Sequence, residues 1–499
     1  MSFLKINNNQ AVPVNSIPEW DYDSFAANNV SLLENHHERH CVLYFGFREK
    51  ELIRLICCVA DDLEHNISIS SCTVKSDAAL NSFSAKNLNF EKFEREIHEN
   101  FGILYTDHPW LKPVRFSENR EGKSGSVYDY PFFRIDSEEL HEVGVGPVHA
   151  GIIEPGHFRF VCNGEQILHL EIQLGYQHRG VEQLFLEKKK LIQRTVLAES
   201  IAGDSVAGHT SAFAYLWESL SGEVPGNDLL HSRTLAMELE RVAIHTGDLS
   251  ALCTDIAYQL GSSVFGRLRT PVINFFQEWC GNRLAKGLIR TGYSPYPFNK
   301  VLAERLSNVL NAFEPDFIEM NSEVSKLPST LSRFERTGIL KYEQLLAIGT
   351  VGISARMSAL ARDIRMSHPY GLYPALNHVP VLKHHGDVYS RVQIRKEEVI
   401  QSISYIRNLM NEIPDTTSAE QKQLSLRPGL FAVSLTEGWR GEICHAAVTG
   451  NNGELVVYKI KDPSFHNWLA LALSVRNNEI SDFPVCNKSF NLSYCGHDL

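Results

Sequence analysis

The side chains able to do chemistry gather in a few short runs. His178-Arg179-Gly180-Val181-Glu182 sets an imidazole, a guanidinium and a carboxylate close together. Ala202-Gly203-Asp204-Ser205 follows, with His209 one helical turn on. A buried carboxylate among polar groups can pass protons near neutral pH, so Glu182, and Asp204 with His209, are candidates for that work. A structural reading stands beside this one. Asp204 and Ser205 are good N-caps for a helix that begins there, and Glu182 can bond an arginine or backbone groups at an interface. His149 and His157 stand apart as lone imidazoles, a type more often structural than functional.

Metal and nucleotide chemistry find little support. The cysteines are Cys41, Cys57, Cys58, Cys72, Cys162, Cys253, Cys280, Cys444, Cys486 and Cys495, and none forms a Cys-x-x-Cys pair. Neither a zinc knuckle nor an iron–sulfur ligand run is therefore present. Without a signal peptide the expectation is reduced thiols in the cytoplasm, most of them packed as small apolar residues. No Gly-x-Gly-x-x-Gly follows a strand, and no Ser-His-Asp or paired-carboxylate arrangement stands out.

Elements that could position these groups follow from periodicity. His40–Phe47 and Leu52–Val59 are β-rich. Phe93, Ile97 and Phe101 recur at helical spacing within a helix expected from Phe90 to Asn100. The polar stretch 117–139, with Gly122, Gly125 and several serines, suits an exposed linker or a strap. Val143 to Phe160 is extended and punctuated by Gly and Pro. Val181 to Leu220, Ser232 to Leu260, Phe265 to Leu288, Glu304 to Glu323 and Val399 to Asn411 are expected to be helical. Gly429 to Lys461 alternates like strands and turns at Asn451-Asn452-Gly453. The fold class is α+β: a small N-terminal α/β unit over 1–116, a linker over 117–140, and a mainly α-helical unit over 141–499 with β structure at both ends. Arg362-Asp363-Ile364-Arg365 and Glu238-Leu239-Glu240-Arg241 put opposite charges at helical spacing, as buried ion pairs between helices would need. His384-His385 and Lys188-Lys189-Lys190 are expected at the surface.

Size and charge narrow the function classes. An apolar share of 43% over 499 residues builds a sizeable core. A net charge of −11 argues against nucleic acid or an anionic membrane surface as the main partner. No apolar run is long enough to span a bilayer, so any membrane association comes through partners.

Two ordered sets of motifs carry a family resemblance. Phe93-Glu94-Arg95-Glu96-Ile97-His98-Glu99-Asn100-Phe101-Gly102-Ile103, followed by His108-Pro109-Trp110-Leu111, resembles the signature of the C-type subunit of respiratory complex I, a cofactor-free docking unit. The remainder resembles the large subunit of formate-hydrogenlyase-type, energy-converting nickel–iron hydrogenases and the D-type subunit of complex I. Leu174 to Glu182 matches their opening signature. Gly146-Pro147-Val148-His149-Ala150-Gly151, Glu154-Pro155-Gly156-His157-Phe158, Gly386-Asp387-Val388-Tyr389-Ser390-Arg391 and Pro463-Ser464-Phe465-His466-Asn467 extend it in order. A fusion of the C-type and D-type units in one chain is itself a pattern of this group.

The resemblance carries expectations and departures. Hydrogenases place Cys-Gly-x-Cys where this chain has Ala202-Gly203-Asp204-Ser205, and a second Cys-x-x-Cys where it has Asn491-Leu492-Ser493-Tyr494-Cys495-Gly496. Four thiolates hold nickel and iron there, and a serine hydroxyl is a poor ligand for a soft centre. Nickel–iron is thus not expected, and no metal is assigned to this chain. The resemblance casts Glu182 as a proton relay, with His178, Arg179 and Asp204 in the catalytic group. Ser205, His209, His149 and His157 then border a vacated cavity that could hold a substrate or ordered water, a quinone being a candidate. The complex I quinone residues are themselves replaced by Ile153 and Gly203. The family fold also implies that Gly496 to Leu499 lie against the opening signature. The implied partners are a small iron–sulfur subunit of the complex I B type, carrying a 4Fe–4S cluster, a ferredoxin-like subunit and membrane-arm subunits, with the chain peripheral on the cytoplasmic face of the membrane. Two functions stay open: an electron-transfer subunit of an ion-translocating oxidoreductase complex that evolves no hydrogen, or a non-catalytic scaffold holding the iron–sulfur subunit on the membrane arm.

Overall fold

The computed structural model describes residues 2–117, 120–121, 125–151, 153–415 and 418–499. Gly122 of the expected linker lies outside them.

Three long strands, Arg39–Glu49, Leu52–Asp61 and Asn66–Lys75, form an antiparallel meander in the N-terminal part, in register at Phe45 with Ile56 and at Leu55 with Cys72. Leu4–Ile6 adds antiparallel and Glu19–Trp20 parallel to the Asn66–Lys75 edge. Arg39–Glu49 and Leu52–Asp61 read as near-continuous apolar runs because almost every position on both faces is buried; Asn66–Lys75 is as buried but alternates isoleucines with serines. The expected helix is Glu91–Phe101. It buries Phe93 and Ile97, and ends at Gly102, whose φ of 74° is the left-handed closure that glycine takes without penalty.

A second antiparallel sheet, His141–Val145, His157–Asn163 and Gln166–Gln173, brackets the loop that carries His149. The stretch 181–220 is not one helix. It breaks into Val181–Glu187, Leu191–Ala198 and Val206–Ser221. The breaks fall at the lysine run 188–190 and at 199–205, where the chain turns to bring Ala202–Ser205 to the start of the third helix. Asn227–Asp255 packs lengthwise on Gln259–Cys280 and on Val388–Asn411. Lys300–Val324 packs beside the last two.

The strands Leu430–Gly438, Gly441–Thr449 and Leu455–Lys461 close the scaffold as a hairpin pair with the expected turn at 451–453. The helix Val206–Ser221 lies across this sheet. Phe213 and Trp217 sink into a cluster with Phe185, Tyr458 and Ile460, and Phe185 stacks on Tyr458 at 4.1 Å. Each such side chain contributes roughly 1.5–3 kcal/mol by leaving water, so the sheet and this helix form one rigid platform. Val12–Pro13, from the N-terminal part, pairs with Leu430–Phe431 at the platform's edge. His40 bonds Glu442 at 2.7 Å across the same junction.

Charge is buried in quantity. Glu398 accepts from Arg356 at 2.7 Å, from Arg365 at 2.9 Å and from His245 at 2.8 Å, all fully buried. Burial alone would raise the Glu398 pKa, but the arginine charges and the His245 bond hold it well below the carboxylate range. Glu238 lies 3.5 Å from Arg241 and 3.6 Å from Arg365, so the runs 238–241 and 362–365 do supply buried ion pairs. His384 and His385 are exposed, as are Lys189 and Lys190.

Candidate functional site

The run 174–182 is anchored by the chain's C-terminus. Gly175 holds φ of +98°, and a Cβ there would stand 3.2 Å from the Arg115 backbone, so the tight approach needs glycine. Its N–H donates to Asp498 Oδ1 at 2.8 Å, and the Gln177 N–H donates to Asp498 Oδ2 at 2.9 Å. His178 Nδ1 donates to the Asp498 carbonyl at 2.7 Å. The Arg179 N–H donates to the Leu499 carbonyl at 2.8 Å, while its guanidinium donates to the carbonyls of Ser200, Ile201 and Cys495. His178 and Arg179 thus clamp three segments, and the last residues lie against the opening run. Burial, more than the nearby Arg115 charge, pulls His178 below its usual range. Burial pushes Asp498 up to about 6 against the pull of its two backbone bonds.

Glu182 lies in the first turn of the helix Val181–Glu187, where it reaches the sheet and, with His178 and Arg179, lines a pocket of about 850 Å³. Lys459 Nζ donates to its Oε2 at 2.6 Å, and the Ile460 N–H donates to its Oε1 at 2.9 Å. The same ammonium donates to Glu96 Oε1 at 2.9 Å, and Arg115 also pairs with Glu96. One lysine therefore joins the helix of residues 91–101 to the run at 182.

Asp204 and Ser205 do not cap the helix they precede. Ser205 sits at the N-cap position without a capping bond. The orphan N–H groups of Ala207 and Gly208 are taken instead by the Glu240 carboxylate, at 2.7 and 3.3 Å. Glu240 is buried, and burial raises it to about 8 despite those two bonds. Asp204 is committed elsewhere. Arg440 donates to its two oxygens at 2.6 and 2.7 Å, to Ser205 Oγ at 3.2 Å and, through Nε, to the Asn491 carbonyl at 2.5 Å. The guanidinium stacks on Trp439 at 3.9 Å, and the Trp439 N–H donates to the Asp204 carbonyl at 2.7 Å. A single side chain so bridges the segment 202–205 to the segment beginning at 491.

His209 lies in full burial on the same helix. Its Nε2 donates to Asp462 Oδ2 at 3.0 Å, its Nδ1 meets His445 Nε2 at 3.1 Å, and His445 Nδ1 meets the Tyr458 hydroxyl at 2.7 Å. The result is a continuous chain Asp462–His209–His445–Tyr458. Burial and the neighbouring His209 hold His445 neutral, well below its usual range. Burial works against the Asp462 carboxylate, yet the His209 bond and charge and the Arg440 charge keep it below its usual range. Protons can hop along such a chain.

His149 and His157 sit across one turn. His149 Nε2 donates to the Gly156 carbonyl at 2.8 Å, and His157 Nδ1 donates to the Gly146 carbonyl at 3.0 Å. They pin the loop together, and of their four ring nitrogens His157 Nε2 is buried without a partner. Ile153 is about half exposed on that loop.

The donor set does not suit a soft bimetallic centre. Of the positions that resemblance marks for thiolates, Ala202 and Ser205 hold none. The single thiol of the second segment, Cys495, is raised to about 11 by burial and the Glu154 charge, so it stays protonated. Its sulfur contacts Ser493 Oγ at 3.5 Å. Among the described residues no group of three or more His, Cys, Asp or Glu is placed to hold a metal ion.

Comparison with known proteins fits this architecture. A family model described as "Respiratory-chain NADH dehydrogenase, 49 Kd subunit" matches residues 261–430. Hydrogenase-4 component G of Escherichia coli (strain K12) is 27% identical over 420 residues, covering 80% of this chain and 72% of that protein. The chain is similar to the complex I 49 kDa subunit and to hydrogenase large subunits. The carbon monoxide-induced hydrogenase of Rhodospirillum rubrum is 28% identical over 70% of this chain and 97% of that one. Among solved structures, a chain of the membrane-bound sulfane sulfur reductase, an archaeal respiratory membrane complex, shares the fold at a TM-score of 0.68 and 20% identity. That match covers 74% of this chain and all of the other. Among its described residues the chain has no helix long and apolar enough to cross a membrane.

The structure brings His178, Arg179 and Glu182 to one seam and Asp204 and Ser205 to another, with His209 behind the second. His149 and His157 remain in their own loop. Arg440, Lys459, Glu240, His445 and Asp462 were missed in the sequence. Lys459 left a signal, a cation within the β-rich run Leu455–Ile460; Arg440, in a turn flanked by Gly438 and Gly441, left none. Asp462 adjoins the Pro463–Asn467 motif.

Proposed function

We propose that this chain is a subunit of a membrane-bound, ion-translocating oxidoreductase complex that holds no nickel–iron centre and evolves no hydrogen. Residues 1–116 form its docking unit, 117–140 a linker, and 141–499 the part equivalent to a hydrogenase large subunit. It works peripherally on the cytoplasmic face, beside a small subunit carrying a 4Fe–4S cluster, a ferredoxin-like subunit and the membrane arm. One observation carries the reading: the Arg440–Asp204 pair, tied to Asn491, bridges the two segments that bear thiolates in hydrogenases. A guanidinium and its counter-ion occupy that junction, where a metal would need four soft ligands. Asp204 and Glu182 are then positioning groups, and the chain couples its neighbours by rigid contact.

A second reading is favoured by the Asp462–His209–His445–Tyr458 chain. There, reduction of a quinone-like acceptor beside this chain would draw protons through His209.

The assembled complex tests both. Nickel at well below one atom per chain is expected, and one nickel per chain overturns the proposal. The iron–sulfur cluster is then reduced with a low-potential dye and offered quinone. Re-oxidation that ignores Glu182→Gln and His209→Gln supports the coupling role; a strong loss in the His209 variant with assembly intact moves the assignment to the second reading.

A further inference from the structure

A cavity of about 510 Å³ lies at the seam between the docking unit and the rest of the chain. That volume falls in the range of small-molecule sites, about 300–1,000 Å³. Its walls come from elements remote in sequence: the first turn of Glu91–Phe101, the segment 109–114, the strap residues Tyr130 and Phe133, the strand Gln166–Gln173 and the helix Ser464–Ser474. Trp110, Leu170, Leu174 and Trp468 give it an apolar body.

The charges on its wall do not balance. Lys92, Arg95, Lys112 and Arg476 face only two carboxylates, Glu91 and Glu171. Glu91 is taken by Arg95 at 2.5 Å and by the Trp110 indole N–H at 2.5 Å. Glu171 is taken by Lys112 and by the Phe133 N–H at 2.7 Å. Among the described residues no carboxylate lies within ion-pair reach of Lys92 or Arg476; Arg476 makes one bond, to His169 Nδ1 at 3.2 Å. Two cations are left without a counter-charge, Lys92 resting over the Phe465 ring at 5.7 Å, in a chain whose net charge is −11. Burial draws the Lys92 ammonium down to about 7, with Arg95 and Arg115 adding to the effect and Glu91 offsetting part of it. A cation desolvated this way gains most from an anionic partner.

We propose that this cavity binds a small amphipathic carboxylate, its apolar body against Trp110, Leu170, Leu174 and Trp468 and its head group drawn to Lys92 and Arg476. The planar guanidinium of Arg476 matches a carboxylate's two oxygens, and Lys92 supplies a point charge. Because both sides of the seam line the cavity, an occupant would also tighten the packing of the docking unit on the rest of the chain. This ligand site is independent of the proposed redox setting.

The test is calorimetric titration of the full-length chain with decanoate, decan-1-ol and acetate. Decanoate is expected to bind saturably at one per chain. Decan-1-ol, lacking the charge, and acetate, lacking the apolar body, should each bind at least about tenfold more weakly. Lys92→Gln and Arg476→Gln should each weaken decanoate by about tenfold, the value of one charge-assisted hydrogen bond. Arg476 is exposed, so its variant keeps the fold, and Arg476→Lys should recover part of the affinity. Absence of saturable decanoate binding, equal binding of decan-1-ol, or unchanged affinity in both Gln variants overturns the proposal.

Discussion

Removing either member of the Arg440–Asp204 pair should destabilise the chain, and the two losses should be unequal in a defined direction. The Arg440 side chain is 5% exposed, whereas Asp204 is 36% exposed. Asp204→Ala strands a buried guanidinium that keeps only Ser205 Oγ and the Asn491 carbonyl, and leaving a buried charge unpaired costs roughly 3–5 kcal/mol. Arg440→Met strands a carboxylate that water can reach, so solvent offsets most of that penalty. What remains is the unpaired Asn491 carbonyl, about 1–3 kcal/mol, since the methionine stem keeps much of the contact on Trp439. The double variant removes the charge and its partner together, so it should fall short of the sum by about 1–2 kcal/mol. Urea unfolding of the four proteins reads these values directly, provided the m-value is constant. If Arg440→Met proves the costlier change, or if the two losses simply add, the junction is not held by this pair and the proposed function loses its main support.

Three further outcomes follow from the same geometry. Burial lifts Asp498 to about 6 from the ordinary 3.8, so its contribution to stability is complete below about pH 4 and lost as pH rises through 6, roughly 3 kcal/mol in all; Asp498→Asn should gain on the wild type over that window, and a difference that stays flat with pH would contradict the assignment. Lys459→Met leaves buried Glu96 to Arg115 alone and Glu182 to the Ile460 N–H where the docking unit meets the sheet, so it should cost about 2–3 kcal/mol against at most about 1 for Glu182→Gln, whose site is partly open to water; equal losses in urea unfolding would mean that Glu182 is the real anchor. Gly496→Ala puts a methyl 2.7 Å from Asp462 Oδ2 and 2.8 Å from Ser493 Oγ, so overpacking of about 1–3 kcal/mol is expected, together with a shifted His209 imidazole resonance; an unmoved resonance would show that Asp462 does not hold His209.

Much of this protein can be read along the chain. Strand pairs at 40–59 and 429–461 show by β-rich composition or alternation, and the helix at 91–101 by Phe93 and Ile97, because those patterns depend only on which face a residue turns to the core. The family is legible in the same way, since its motifs are short, ordered and local. The break-up of 181–220 into three helices is not legible: the lysine run at 188–190 carries no breaker, and the turn at 199–205 is fixed by Arg179 and Trp439 reaching in from elsewhere. The candidate site shows the same limit. Composition marks Asp204 and Ser205 as caps, because that preference is local. The helix start is capped by Glu240, more than thirty residues on, while Arg440 claims Asp204 from the turn between two strands, over two hundred residues away. His209 finds its partners His445 and Asp462 only when its helix crosses the sheet. What the sequence determines by itself is each residue's chemistry and the periodicity that buries it. Tertiary structure alone decides which charges meet, because a buried charge must find a counter-charge or donors wherever the fold brings them, and distance along the chain does not enter that energy.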